Sequence, residues 1–130
     1  MPLASHAATA LDDRLGCRES AHAFIAGLID QHLIETKPMR VASDSINAFR
    51  PASGQELTAY GFSVFAVVGF QQDDPLFAHG SGTPIGRSAY GAVVFGGDGK
   101  VKAALAAAGN TAPIVQHVNL FMTAIFCKQD

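Results

Sequence analysis

The stretch that most limits how this chain can fold is Glu56 to Phe70, ELTAYGFSVFAVVGF. Its even positions carry Tyr60, Phe62, Val64, Val68 and Phe70, whereas its odd positions carry Ala59, Gly61, Ser63, Phe65 and Val67. Side chains alternate faces along a strand, so one face is large and apolar and the other smaller and mixed. β-Branched and aromatic residues suit a pleated, packed surface. The run exceeds the usual strand of about five or six residues, and Gly61 marks a bend or bulge. The spacing predicts the long, curved central strand of an antiparallel sheet.

Pro113 to Cys127 repeats the pattern. Ile114, Val118, Leu120, Met122, Ala124 and Phe126 fall on one face with Gln116, while Val115, His117, Asn119, Phe121, Thr123 and Ile125 fall on the other. This predicts a second long strand beside the first. Another strand is expected over 87–95, and a short one over 39–42.

Ala21, Phe24, Ile25, Leu28, Ile29 and His32 recur at helical spacing, with Ser20 as N-cap and Pro38 as the stop. They predict an amphipathic helix over 20–36, roofing the sheet so that Phe24 and Leu28 meet Phe62 and Leu120. Gly27 in its interior would allow close approach to the strand beneath. Leu3, Ala7, Leu11 and Leu15 suggest a short helix over 3–15, and Asp44 to Phe49 a helical turn. In residues 99–108, Asp98-Gly99 argues for a hairpin, while Val101, Ala104, Leu105 and Ala108 with Gly109 argue for a short helix, which is preferred. The fold class is α+β: a curved antiparallel sheet with two long strands packed against one amphipathic helix, plus short helices, in a single domain over 1–130. The outline resembles small cone-shaped folds such as the nuclear-transport-factor-2-like group. That is a likeness of element order, and no catalytic Asp–His constellation carries over with it.

The 130 residues are 48% hydrophobic and 15% charged, with a formal net charge of −2. So lean a charge favours a covered second sheet face, hence a homodimer. The basic residues are scattered, which excludes a nucleic-acid groove and a membrane-surface patch. Cys17 and Cys127 make no disulfide framework, the N-terminus is a poor secretory signal, and no apolar run would span a bilayer. The expectation is a cytoplasmic protein with reduced thiols, a Cys17–Cys127 bridge arising only on export. The Ala-rich, Lys-poor composition has a bacterial look.

Chemistry is sparse. If the two long strands pair, Ser63, Phe65 and Val67 join His117, Asn119, Phe121 and Thr123 on a half-apolar surface, suited equally to a ligand pocket or a homodimer interface. His117 could act as a general base with Asn119 orienting a substrate, against the plainer reading of a polar residue on a partly exposed strand. His32 reads as a core-edge histidine and His22 as solvated. The long loop 71–86 runs into HGSGTPIGR, residues 79–87, where glycine amides with His79, Ser81, Thr83 and Arg87 could gather round a small anion. Its spacing, G-x-G-x-x-x-G, misses the dinucleotide fingerprint and leads into a strand. GGDGKV lacks the first glycine and the Ser or Thr of a P-loop, and Gly80-Ser81-Gly82 is no nucleophile elbow. Neither cysteine has metal-ligand spacing, so no metal or cofactor is called for. On one unbroken strand Cys127 and His117 would stand about 33 Å apart and could not act together.

The function these features favour is a non-catalytic binding or protein-interaction domain using a mixed sheet face, with a homodimer, another protein or a small molecule as partner. The alternatives are a small enzyme with a pocket lined by His117, Asn119 and loop 79–87, and a secreted or surface-associated protein engaging a partner.

Overall fold

Ser20 caps the first helix as the sequence predicts. In the computed structural model, which describes residues 8–129, its Oγ accepts from the Ala23 amide at 3.0 Å. This helix, α1 (Ala21–Asp30), buries Ala21, Phe24, Ile25 and Leu28, and it stops well short of residue 36. His32 takes a left-handed φ of 58°, and the amides of His32 and Leu33 donate to the carbonyls of Ile29 and Leu28. That is the Schellman stop, with histidine where glycine is usual. His32 is therefore not at the core edge but exposed beyond the helix end.

The sheet has eight strands: β1 (Thr9–Ala10), β2 (Arg40–Val41), β3 (Asn47–Phe49), β4 (Leu57–Ala59), β5 (Phe62–Gln71), β6 (Ser88–Phe95), β7 (Ile114–His117) and β8 (Met122–Gln129). With α1 and α2 (Asp98–Ala107) they make a mixed α/β fold with a mostly antiparallel, open sheet. Strand order is β1-β4-β5-β6-β8-β7, β1 being parallel to β4. β3 joins the edge of β5 beyond β4, and β2 pairs with β3.

Both long alternating runs are hairpins, not single strands. In the first, Tyr60 (φ 51°) and Gly61 (φ 86°) form the turn, and Ala59 pairs with Phe62 and Thr58 with Ser63. Two consecutive positive φ values match the right-handed twist of the flanking strands. In the second, residues 118–121 return the chain so that His117 pairs with Thr123 and Ile114 with Phe126. The runs do not lie side by side either, because β6 stands between β5 and β8 and pairs with both. The extra residue in the sheet is Phe65, where the register shifts between Val64↔Val94 and Ala66↔Val93.

Both helices cover one face. Cross-strand rows Val67–Ala92–Ile125 and Gly69–Tyr90–Cys127 lie beneath α1, where the Phe24 and Tyr90 rings approach to 4.7 Å. Gly69, not Gly27, permits the close approach, for a Cβ there would press into Ile25, whereas Gly27 faces Arg14. Arg14 forks onto Glu19 (2.7 and 2.6 Å) and lies over the Phe24 ring. Phe62 is half-buried over Gly96, and Leu120, expected under α1, stands in water.

Other expectations change as well. The predicted helix over 3–15 falls partly outside the described residues; within them the chain forms β1 and a 3-10 turn at Asp12–Arg14. Residues 44–49 are not a helical turn but lead into β3, whereas 99–108 is largely helical, ending at Gly109 (φ 73°). Cys17 and Cys127 are not free thiols: they form a disulfide joining residues 110 apart. Among the described residues no helix is long and apolar enough to cross a membrane.

Candidate interaction face

The face of the sheet away from the helices is only partly covered. Its rows run Ala48–Val68–Gly91–Phe126–Ile114 and Ala66–Val93–Ala124–Gln116, with Phe95 beside Met122. Val68, Val93, Ala124 and Phe126 floor a groove of about 340 Å³. Ile46 and Ile85 form one wall and Gln116, His117 and Val118 the other, with Arg40 and Asp44 at the rim. An apolar floor with few polar groups supplies burial and leaves orientation to the rim.

In and around the groove the chain exposes large apolar side chains. Leu120 is 82% exposed, Phe121 74%, Ile114 53%, Phe95 49% and Val118 44%. Of the seven exposed large apolar side chains among the described residues, four belong to β7 and its connection to β8, including the two most exposed, Leu120 and Phe121; the other three are Phe95, Phe65 and Met39. Phe65, lifted by the bulge, stacks edge-on against Phe95 at 5.6 Å.

The groups singled out from the sequence divide accordingly. Phe65 and Phe121 are exposed apolar residues, and His117 borders the groove. Thr123 is fully buried and faces α2, so it contributes to no open surface. Asn119 Oδ1 accepts from the Phe121 amide at 2.8 Å and shapes the turn.

In residues 79–87 two of the glycine amides are already engaged. The Gly80 amide donates to Ser45 Oγ and the Gly82 amide to the Ser43 carbonyl, so these two N–H groups are turned to the chain itself. Asn47, fully buried, donates to the Ala78 carbonyl and accepts from the Ala78 amide, fastening the loop to β3. His79 rests edge-on against Phe70, while Ser81 and Thr83 are exposed on the fastened loop. Arg87 lines a separate polar depression of about 390 Å³ with Ser20, Gln71, Gln72, Ser88 and Gln129. There Ser88, Gln71 and Ser20 accept from the first three amides of α1, the groups that would otherwise hold an anion.

The sequence reading overlooked Asp98. Its Oδ2 lies 2.7 Å from His117 Nδ1 and its Oδ1 2.6 Å from the Thr123 hydroxyl, which also reaches the Gly96 carbonyl. The hydrogen bond from Thr123, then that from His117, holds the Asp98 carboxyl below its usual range. His117 is thereby oriented with Nε2 free of Asp98. A second pair joins His22 Nδ1 to Asp74 at 2.6 Å, so His22 is exposed yet engaged. Spacing could not reveal either pair, because each partner arrives from a different element. Among the described residues no group of three or more His, Cys, Asp or Glu is placed to hold a metal ion.

No protein-family model matches the chain, and no curated protein or solved structure matches it.

Proposed function

We propose that this protein is a non-catalytic binding domain that receives another protein surface on the outer face of its sheet and on the β7–β8 hairpin. The observation that carries this reading is the exposure of Leu120, Phe121, Val118 and Ile114 on one hairpin, of which Val118 lines the apolar groove. Such side chains exposed together gain most by being covered. The Cys17–Cys127 bridge favours an oxidising compartment, since cytosolic thiols are kept reduced.

Hydroxyl-radical footprinting tests the reading. Leu120, Phe121 and Phe95 are expected to be labelled strongly in dilute purified protein and protected either at high concentration or in an extract of the producing cells. Full labelling under all three conditions would refute it.

A second reading rests on Asp98, which orients His117 as a carboxylate orients a general base. On that reading the protein is a small enzyme working beside the first turn of α2, where His117 meets Asp98. His117→Ala would then abolish turnover while the chain stays folded, whereas a binding domain would show altered association only.

A further inference from the structure

β7 ends the sheet, and its outer edge is unpaired in the described chain. The Val118 amide donates to the Met122 carbonyl, so by the antiparallel alternation the amides and carbonyls of Val115 and His117 point away from β8. Edges of this kind are commonly guarded by lysine or a bulge. Here no Asp, Glu, Lys or Arg occurs anywhere from 103 to 127.

From this edge, and resting on the binding-domain reading above, we infer that the partner is a second copy of this chain, joined by antiparallel pairing of β7 with its symmetry mate about a two-fold axis at Gln116. That axis sets Val115 opposite the second copy's His117, the two residues whose backbone groups are turned outward. It also sets Val118 opposite the second copy's Ile114 on the outer face, bringing together two of the exposed apolar side chains. A two-fold interface places like beside like, and charges directly opposite across strands repel. An uncharged seam suits self-pairing for that reason. The exposed parts of Ile114, Val118, Leu120 and Phe121 amount to on the order of 500 Å², against ~800 Å² per partner in a standard interface. The paired backbone and Gln116 supply much of the remainder. The product is one sheet continuous through both copies.

Sedimentation equilibrium of the full chain tests this. The wild type is expected to be dimeric at micromolar concentration. Gln116→Lys and Gln116→Glu, each at an exposed position, should weaken association about tenfold by setting like charges across the axis. An equimolar mixture of the two should restore it. Val115→Pro, which removes an outward amide without touching the β7–β8 bonds, should also yield monomer. Unchanged thermal midpoints would show that the variants remain folded. A wild type that stays monomeric overturns the inference, as does a dimer indifferent to both charges or a mixture no tighter than its parts. A monomer whose hairpin is protected only in cell extract overturns the self-pairing but leaves the binding-domain reading standing. A monomer that sediments with phosphatidylcholine vesicles overturns it in favour of a lipid surface.

Discussion

Asp98, in the first turn of α2, and His117, at the end of β7, meet at 2.7 Å and tie the last strand of the sheet to the helix above it. Because the carboxyl pKa is lowered in the folded protein, its contribution to stability is complete above the unfolded value of about 4. It is lost as pH falls through the depressed folded value. Thermal midpoints measured below about pH 4 should therefore fall more steeply for wild type than for Asp98→Asn. Parallel curves would show that the contact does not couple to folding.

The Cys17–Cys127 bridge closes a loop spanning most of the chain. On the chain-entropy account, closing a loop of about 100 residues stabilises by about 4–5 kcal/mol. Urea unfolding with and without dithiothreitol, and of the Cys17→Ser/Cys127→Ser variant, should show a loss of that order. No shift on reduction would mean that the cysteines are not joined.

Asn47→Ala should cost about 2–3 kcal/mol, because it removes a fully buried side chain that makes hydrogen bonds to the Ser45 carbonyl and to the carbonyl and amide of Ala78, each worth about 1 kcal/mol. Hydrogen exchange should then quicken at Ala78 and Gly80 while β6 stays protected. Gly80→Ala attacks the same junction by crowding, since its Cβ would collide with the Ala42 carbonyl oxygen.

Gly97 caps α2 with φ −74° and ψ 152°, makes no side-chain cap bond, and has open space where a Cβ would go. Gly97→Ser should raise stability by about 0.5 kcal/mol, through a new cap and a stiffer unfolded chain. Chemical denaturation would show this as a higher midpoint with an unchanged slope.

How much of this was legible in the sequence depended on local punctuation. Ser20 and the apolar stripe announced α1, Gly109 announced the end of α2, and the apolar run 87–95 gave β6 almost to the residue. The two hairpins were hidden because each turn carries only one customary turn residue, Gly61 in the first and Asn119 in the second, set among apolar neighbours. Tyr60 occupies a left-handed position where Asn or Asp is customary, and 118–121, Val-Asn-Leu-Phe, contains neither Gly nor Pro. Alternation ran through both turns and read as unbroken strand. His32 likewise ended α1 without glycine's signature. Alternation alone sets Phe65, His117 and Phe121 on mixed strand faces. The rest of the candidate face required the insertion of β6 between β5 and β8, a long-range choice that no periodicity encodes.

The covalent tie between Cys17 and Cys127 also decides how the molecule would bear tension. If the chain is tugged by its two ends while oxidised, the load passes through the sulfur bridge, and only what lies outside it, β1 among them, can be peeled away. Reduced, the same pull would reach the strands themselves, so the redox state sets whether this fold behaves as a rigid bead or an extensible thread.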